Sequence, residues 1–187
     1  MYKRFVKRCL DFILSLIALI ILSPVLLIVA TLVRCKLGSP IIFKQQRPGL
    51  HEKIFCMYKF RTMIDETDEQ GNLLPDEVRL TKFGKALRST SLDELPELFN
   101  ILKGDMSIIG PRPVVEKELN KFGNGQELLL SVKPGLTGLW ACSGRSDTTY
   151  EERIKKELYY AENYSMKLDL LCFFKTCLSV VKGTGAR

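Results

Sequence analysis

One uncharged stretch constrains this chain more than any other. Phe12 to Val33 reads "FILSLIALIILSPVLLIVATLV" without a charged side chain. At roughly 1.5 Å per residue a helix of that length reaches ~33 Å, enough to cover a bilayer core of about 30 Å. The run is too long for the apolar core of a signal peptide, and no clean small-residue cleavage site follows. It therefore reads as a retained membrane segment. Lys3, Arg4, Lys7 and Arg8 precede it, and Arg34, Lys36, Lys44 and Arg47 follow. Basic residues mark the cytoplasmic side of a membrane segment, and here both flanks carry them. Ser23-Pro24 stands near the middle. Proline cannot donate to the carbonyl of Ile20 and crowds that turn, so a kink is expected, with the Ser23 hydroxyl able to cover the freed carbonyl. Two readings stay open at this level: a re-entrant hairpin with both ends on one side, and a kinked spanning helix.

A chain of 187 residues makes about one domain. With 46% hydrophobic and 26% charged residues it is neither disordered nor multi-spanning. A formal net charge of +7 suits an anionic partner, whether phosphorylated substrate, acidic lipid or nucleic acid. Nucleic acid is not expected, because no helix-turn-helix, RNP-like or zinc-finger pattern occurs. The six cysteines form no CxxC pair and His51 is the only histidine, which argues against zinc and for reduced, packed thiols.

The expected fold is mainly α with a small β-hairpin, plus the membrane segment and interfacial amphipathic helices. Ile41–Phe43 and Ile54–Tyr58 are β-prone, with "QQRPGLHEK" as a longish loop between them. Asp65–Glu77 reads as a solvated acidic loop. Helices are expected over Leu80–Leu87, Leu92–Leu102, Lys117–Leu130 (broken at "GNG"), Glu151–Tyr160 and Lys167–Lys182. "VKPGLTGLW" reads as a loop. The last helix, "KLDLLCFFKTCLSVVK", is expected to lie in the membrane interface, with Lys167, Lys175 and Lys182 near lipid phosphates.

The chemistry concentrates in "STSLDELPELFN", Ser89 to Asn100. Ser91-Leu92-Asp93-Glu94 fits a capping box, with Asp93 favouring the positive end of a helix. Its surroundings point further. Lys59, Arg61, Arg88, Arg112 and Arg145 lie in segments rich in turn residues, and guanidinium forks bind phosphate oxygens. A helix N-terminus is itself a phosphate pocket. Two carboxylates repel a phosphate unless a divalent cation bridges them, which points to Mg2+. An ionised aspartate is also a competent nucleophile at phosphorus. In "GDMSIIGPRP", Pro111 and Pro113 fix φ on either side of Arg112.

Three stretches together resemble a family. "YKFRTM", "TKFGKALRSTSLDELPELFNILKGDMSIIGPRP" and "KPGLTGLWACSGRSD" are similar to the bacterial sugar transferases known as monotopic phosphoglycosyl transferases, or polyprenyl-phosphate hexose-1-phosphate transferases. The likeness runs through nearly the whole chain, anchor included. It implies a re-entrant anchor over 1–36 broken at Ser23-Pro24 and a catalytic unit over 37–187 on the cytoplasmic face of the bacterial inner membrane. It implies Asp93 and Glu94 as the catalytic pair. By the same resemblance Asp93 attacks the β-phosphorus of a UDP-sugar, UMP leaves, and polyprenol phosphate (undecaprenyl phosphate in most bacteria) takes the phosphosugar, with Mg2+ assisting and Asp93 in or near its shell. Lys59, Arg88, Arg112 and Arg145 match substrate-binding positions. The expected partners are thus a UDP-sugar, polyprenol phosphate and membrane lipids, with homo-oligomerisation left open.

Two departures stand out. Larger relatives of this kind carry further N-terminal membrane helices, so the chain resembles a minimal catalytic form. Ala141 and Cys142 replace a glutamine frequent after the "GLW" stretch. The "SGRSDTTYEER" tail favours exopolysaccharide, capsule or O-antigen members, and hence UDP-glucose or UDP-galactose over an N-acetylated amino sugar. The competing reading is a basic membrane-anchored scaffold for acidic lipid. It explains charge and anchor but not carboxylates among arginines.

Overall fold

The computed structural model describes residues 2–144 and 148–182. Arg145, one of the expected substrate contacts, lies outside them. The apolar run becomes α1, Lys7–Leu37, entered through a π-helical turn at Tyr2–Val6. Its buried residues are Asp11, Ser15, Leu19, Val29, Val33 and Leu37. Steps of four place these on one stripe of the helix. Ile13, Ile17, Ile20, Ile21, Leu27 and Ile28 are exposed. One face of α1 therefore docks on protein while the rest presents bare hydrocarbon.

The apolar run forms one long helix with Pro24 inside it, and a break at Ser23-Pro24 is not seen. The Ser23 hydroxyl donates to the Ile20 carbonyl at 2.8 Å. That is the acceptor proline leaves without its helical N–H, and its satisfaction lets the helix continue.

The hairpin pairs β1 (Ile42–Pro48) with β2 (Ile54–Phe60), antiparallel, in register from Ile42↔Phe60 to Pro48↔Ile54. Its strands are longer than the β-prone runs: Gln45, Gln46 and Arg47, expected in the loop, are paired instead. The acidic segment is indeed mostly exposed, and ends in a single turn, α2 (Asp76–Arg79). Next come α3 (Lys82–Ser89) and α4 (Glu97–Lys103). Asn100, fully buried in α4, receives the Tyr58 N–H at 3.1 Å and donates to the Cys56 carbonyl at 2.7 Å. That side chain ties α4 to β2.

A second, two-stranded sheet was not legible as such. β3 (Ser107–Ile109) runs parallel to β4 (Gly135–Thr137), within the segment expected to be a loop. Between them lie α5 (Glu116–Leu119), a 3-10 stretch around the expected "GNG" break, and α6 (Gln126–Leu130). α7 (Tyr150–Asn163) opens with a complete capping box from Thr149 and Glu152, and α8 (Met166–Lys182) follows.

Leu19 of α1 packs with Phe55, Met57, Leu98, Ile101 and Met106, while Val29, Val33 and Leu37 pack with Phe60 and Leu87. Polar groups fix the same helix. Asp11 accepts from the Ser107 hydroxyl at 3.0 Å and the Ile108 N–H at 2.9 Å. Lys7 pairs with Asp169 of α8 at 2.6 Å. α8 in turn exposes Leu170, Leu171, Phe173, Phe174 and Leu178, alongside exposed Lys167 and Lys175.

Candidate active site

The two carboxylates owe their placement to a local reversal. Ser91 sits in the left-handed region at φ 55°, makes no capping bond, and leads into a 3-10 turn, Leu92–Glu94. The expected capping box and the helix over Leu92–Leu102 are thus corrected. α4 begins only at Glu97, because Pro96 suits the entry to a helix, where its missing N–H costs nothing. Asp93 accordingly lies in a short turn rather than at the N-terminus of a long helix. The phosphate pocket expected from helix N–H groups is replaced by side-chain cations.

Those cations converge from separate elements on a cavity of about 460 Å³. Lys59 comes from β2, Arg88 from the last turn of α3, and Arg112 from the segment after β3. Strand alternation adds Arg61 two residues beyond Lys59. Arg47 of β1 and Arg79 of α2 also line the cavity, with Asp93 and Glu94 in its wall. α3 approaches the segment after β2 very closely: a Cβ on Gly84 would lie 1.9 Å from the Thr62 carbonyl oxygen. That proximity lets Arg88 Nε donate to Thr62 Oγ1 at 3.1 Å.

Adjacent in sequence, Asp93 and Glu94 are in different electrostatic states. Glu94 Oε1 accepts from Lys59 Nζ at 2.9 Å and from Arg112 Nη2 at 2.8 Å. One buried oxygen thereby holds two cations at a fixed separation. For Asp93 no ion pair occurs among the described residues. Burial raises its pKa, the Glu94 charge adds to this, and Lys59 and Arg88 oppose it. Asp93 is therefore an under-compensated carboxylate facing a cationic cavity, and Glu94 is the anion that arranges the cations.

The structure brings together Lys59, Arg88, Asp93, Glu94 and Arg112, which the sequence singled out. It adds Glu97 and Glu157, which the sequence reading passed over. Glu97 takes Lys59 at 3.2 Å. Glu157 on α7 accepts the backbone N–H of Arg112 at 3.1 Å. Since Pro111 and Pro113 have no N–H, this is the only backbone donor of the triplet, and Glu157 accepts it. A lone glutamate on a helix gave no signal of this. Only the docking of α7 against the Pro111–Pro113 segment reveals it.

Burial pushes both Glu97 and Glu157 up to about 7 from the ordinary 4.5. For Glu97 the Lys59 charge works against the rise. A carboxylate with a raised folded-state pKa binds its proton more tightly when folded. Its stabilising effect is complete below about 4.5 and disappears as pH rises through about 7. The thermal midpoint is thus expected to fall between about pH 5 and pH 8. Glu157→Gln, which retains an oxygen for the Arg112 N–H, should flatten that fall. Melting curves across this range check it, and an unchanged slope in the variant would refute it.

The profile of the family described as "Bacterial sugar transferase" matches residues 2–183. Over 94% of its length the chain is 47% identical to the uncharacterized sugar transferase EpsL of Bacillus subtilis, covering 86% of that protein. It is 39% identical, over 98% of its length, to the undecaprenyl-phosphate galactose phosphotransferase of Salmonella typhimurium, but spans only 42% of that protein. For the UDP-N-acetylgalactosamine-undecaprenyl-phosphate N-acetylgalactosaminephosphotransferase of Aeromonas hydrophila the identity is 37%, over 98% of this chain and 45% of the relative. The matched stretch runs from the apolar helix through the carboxylate turn and its arginines to α8, so this chain belongs to the bacterial sugar transferase family.

Proposed function

We propose that this chain transfers a sugar-1-phosphate from a UDP-sugar to a polyprenol phosphate, undecaprenyl phosphate in bacteria, at the cytoplasmic face of the inner membrane. The product is a polyprenyl-diphosphate-linked sugar and UMP is released, as an initiating step of polysaccharide assembly. The observation that carries this reading is the asymmetry of the carboxylates. Glu94 is occupied by Lys59 and Arg112, whereas Asp93 faces the cavity with no ion pair among the described residues.

An Asp93 oxygen bonds to the β-phosphorus, and the bond from that phosphorus to the bridging oxygen breaks, so UMP departs with both electrons. An oxygen of the acceptor phosphate then attacks the same phosphorus and the aspartyl P–O bond breaks, restoring the carboxylate. Lys59, Arg88 and Arg112 hold the phosphate oxygens and offset the charge that develops. Asp93 and the donor's diphosphate oxygens also fit Mg2+, which favours one or two carboxylates beside substrate phosphates. When bound it would supply further charge neutralisation. The low compensation of Asp93 fits a cation there, since Glu94 is already neutralised. Relatives named for galactose and for N-acetylgalactosamine leave the sugar to experiment, with a UDP-hexose the favoured donor.

The monotopic placement draws support from α1. Its protein-covered stripe runs from Asp11 to Leu37, so the helix stays on the globular unit along nearly its whole length. A helix crossing the bilayer would have to leave that surface. The re-entrant geometry at Ser23-Pro24 and the interfacial seat of α8 belong to the same proposal. The exposed isoleucines of α1 and the phenylalanines of α8 would then enter lipid. The test is UMP release from a panel of UDP-sugars by the nanodisc-held chain with Mg2+. One donor should give a single equivalent of UMP without acceptor and turnover with undecaprenyl phosphate. No UMP from any donor, with folded protein, would sink the reading.

A further inference from the structure

A second cavity, of about 200 Å³, shares Arg47, Lys59 and Arg112 with the first. Its other charged lining residues are Arg153, Glu97 and Glu118. Four cations thus meet two carboxylates, one of which, Glu97, is pulled towards its neutral form by burial. Lys59 is already paired with Glu94 and Glu97, and Arg112 with Glu94, but the other two basic groups are poorly matched. Among the described residues Arg47 donates to neutral acceptors alone, the Pro113 carbonyl at 3.2 Å and Gln45 Oε1 at 2.7 Å. Its pKa is lowered by burial and by the neighbouring Arg112 charge. Arg153 reaches Glu118 only at 3.8 Å. The buried Nε donors of Arg47 and Arg153 find no acceptor among the described residues.

Crowded guanidinium groups with unused donors are relieved by an anion rich in oxygens, and a phosphate takes such forks in two-pronged fashion. The size agrees. The cavity is larger than the roughly 30 Å³ of a water and smaller than the ~300 Å³ at which whole-ligand pockets begin. It would take a phosphate group with its flanking atoms, not an entire nucleotide sugar.

We infer that this cavity is a second phosphate subsite, contiguous with the reacting one, that takes a phosphomonoester. The inference rests on the transfer reaction proposed above, in which two phosphomonoesters occur: the departing UMP and the lipid phosphate acceptor. Lys59 and Arg112, common to both cavities, would bridge the bound phosphate and the reacting phosphorus.

The test uses Arg153→Gln and Glu118→Gln, which alter the second cavity alone, in the full chain held in nanodiscs. Inorganic phosphate is titrated first. Arg153→Gln should weaken it roughly tenfold and Glu118→Gln should tighten it about threefold. Inhibition by UMP and the KM for a short-chain polyprenyl phosphate then separate the two sources. A shift in the first assigns the subsite to the leaving nucleotide, and one in the second to the acceptor. Phosphate affinity within about twofold of the parent in both variants overturns the inference. Arg153 also lies over the Trp140 and Tyr150 rings. If its variant does not fold without those contacts, Glu118→Gln decides alone, and absence of tightening is fatal. UMP release that depends on Asp93 is read separately, so the subsite can fail while the transfer reading stands.

Discussion

Asp93→Asn is expected to lower turnover at least about 1000-fold, the scale on which removal of a covalent nucleophile acts. The donor-dependent burst of UMP should vanish with it, along with the mass increment of a sugar phosphate on the intact chain. The variant should nonetheless melt no lower than the parent. Ionised Asp93 is buried beside Glu94, and its pKa is raised on both accounts. At neutral pH its charge therefore works against folding, and a neutral amide removes that cost. Glu94→Gln should behave oppositely. It leaves Lys59 and Arg112 without their shared anion, so the melting temperature falls as well as the activity. An undiminished UMP burst in Asp93→Asn would rule out Asp93 as the nucleophile. A lower melting temperature in that variant would overturn the electrostatic account of the pair.

A large loss of stability is expected from Gly138→Ala. Here the backbones after β3 and β4 touch: a Cβ at Gly138 would lie 2.0 Å from the Gly110 carbonyl oxygen, and one at Gly135 would lie 2.1 Å from the Gly110 nitrogen. Neither neighbour is a side chain that can swing away. The Gly110 N–H donates to the Thr137 carbonyl at 2.8 Å, so relieving the clash means giving up the parallel pairing. A loss of about 3 kcal/mol or more is expected, at the upper end for overpacking. Chemical unfolding of the detergent-held chain measures it. Activity should fall with it, because Arg112 stands two residues beyond Gly110. A variant within about 0.5 kcal/mol of the parent would show the contact to be slack.

Some of this was legible in the residues and some was not. The hairpin and the helices from α7 onward follow from local patterns: alternation in "IFCMYKF", acid and base spacing in "YEERIKKELYY", and a long apolar run for α1. The hydroxyl of Ser23 covering the Ile20 carbonyl also follows, because donor and acceptor lie three residues apart. The "STSLDELPELFN" motif misleads in isolation. Its spacing fits a capping box, but Pro96 moves the start of α4 to Glu97 and Ser91 turns left-handed. Local propensity lost to the need to seat two carboxylates between a strand and a proline-flanked arginine.

By itself the sequence determined that one uncharged helix would be long enough to cover a bilayer core and that the rest would be basic and largely helical, and it singled out Asp93, Glu94 and a set of cations. These depend on composition, short-range periodicity and motif order, all of which a chain carries before it folds. Only the tertiary structure decided which carboxylate is neutralised, that Glu97 and Glu157 belong to the site, and that one face of α1 is covered by protein. Lys59, Glu94, Arg112 and Glu157 are up to 98 positions apart and meet only when β2, the carboxylate turn, β3 and α7 pack together. Contacts of that range depend on which surfaces bury one another, and no local pattern encodes them.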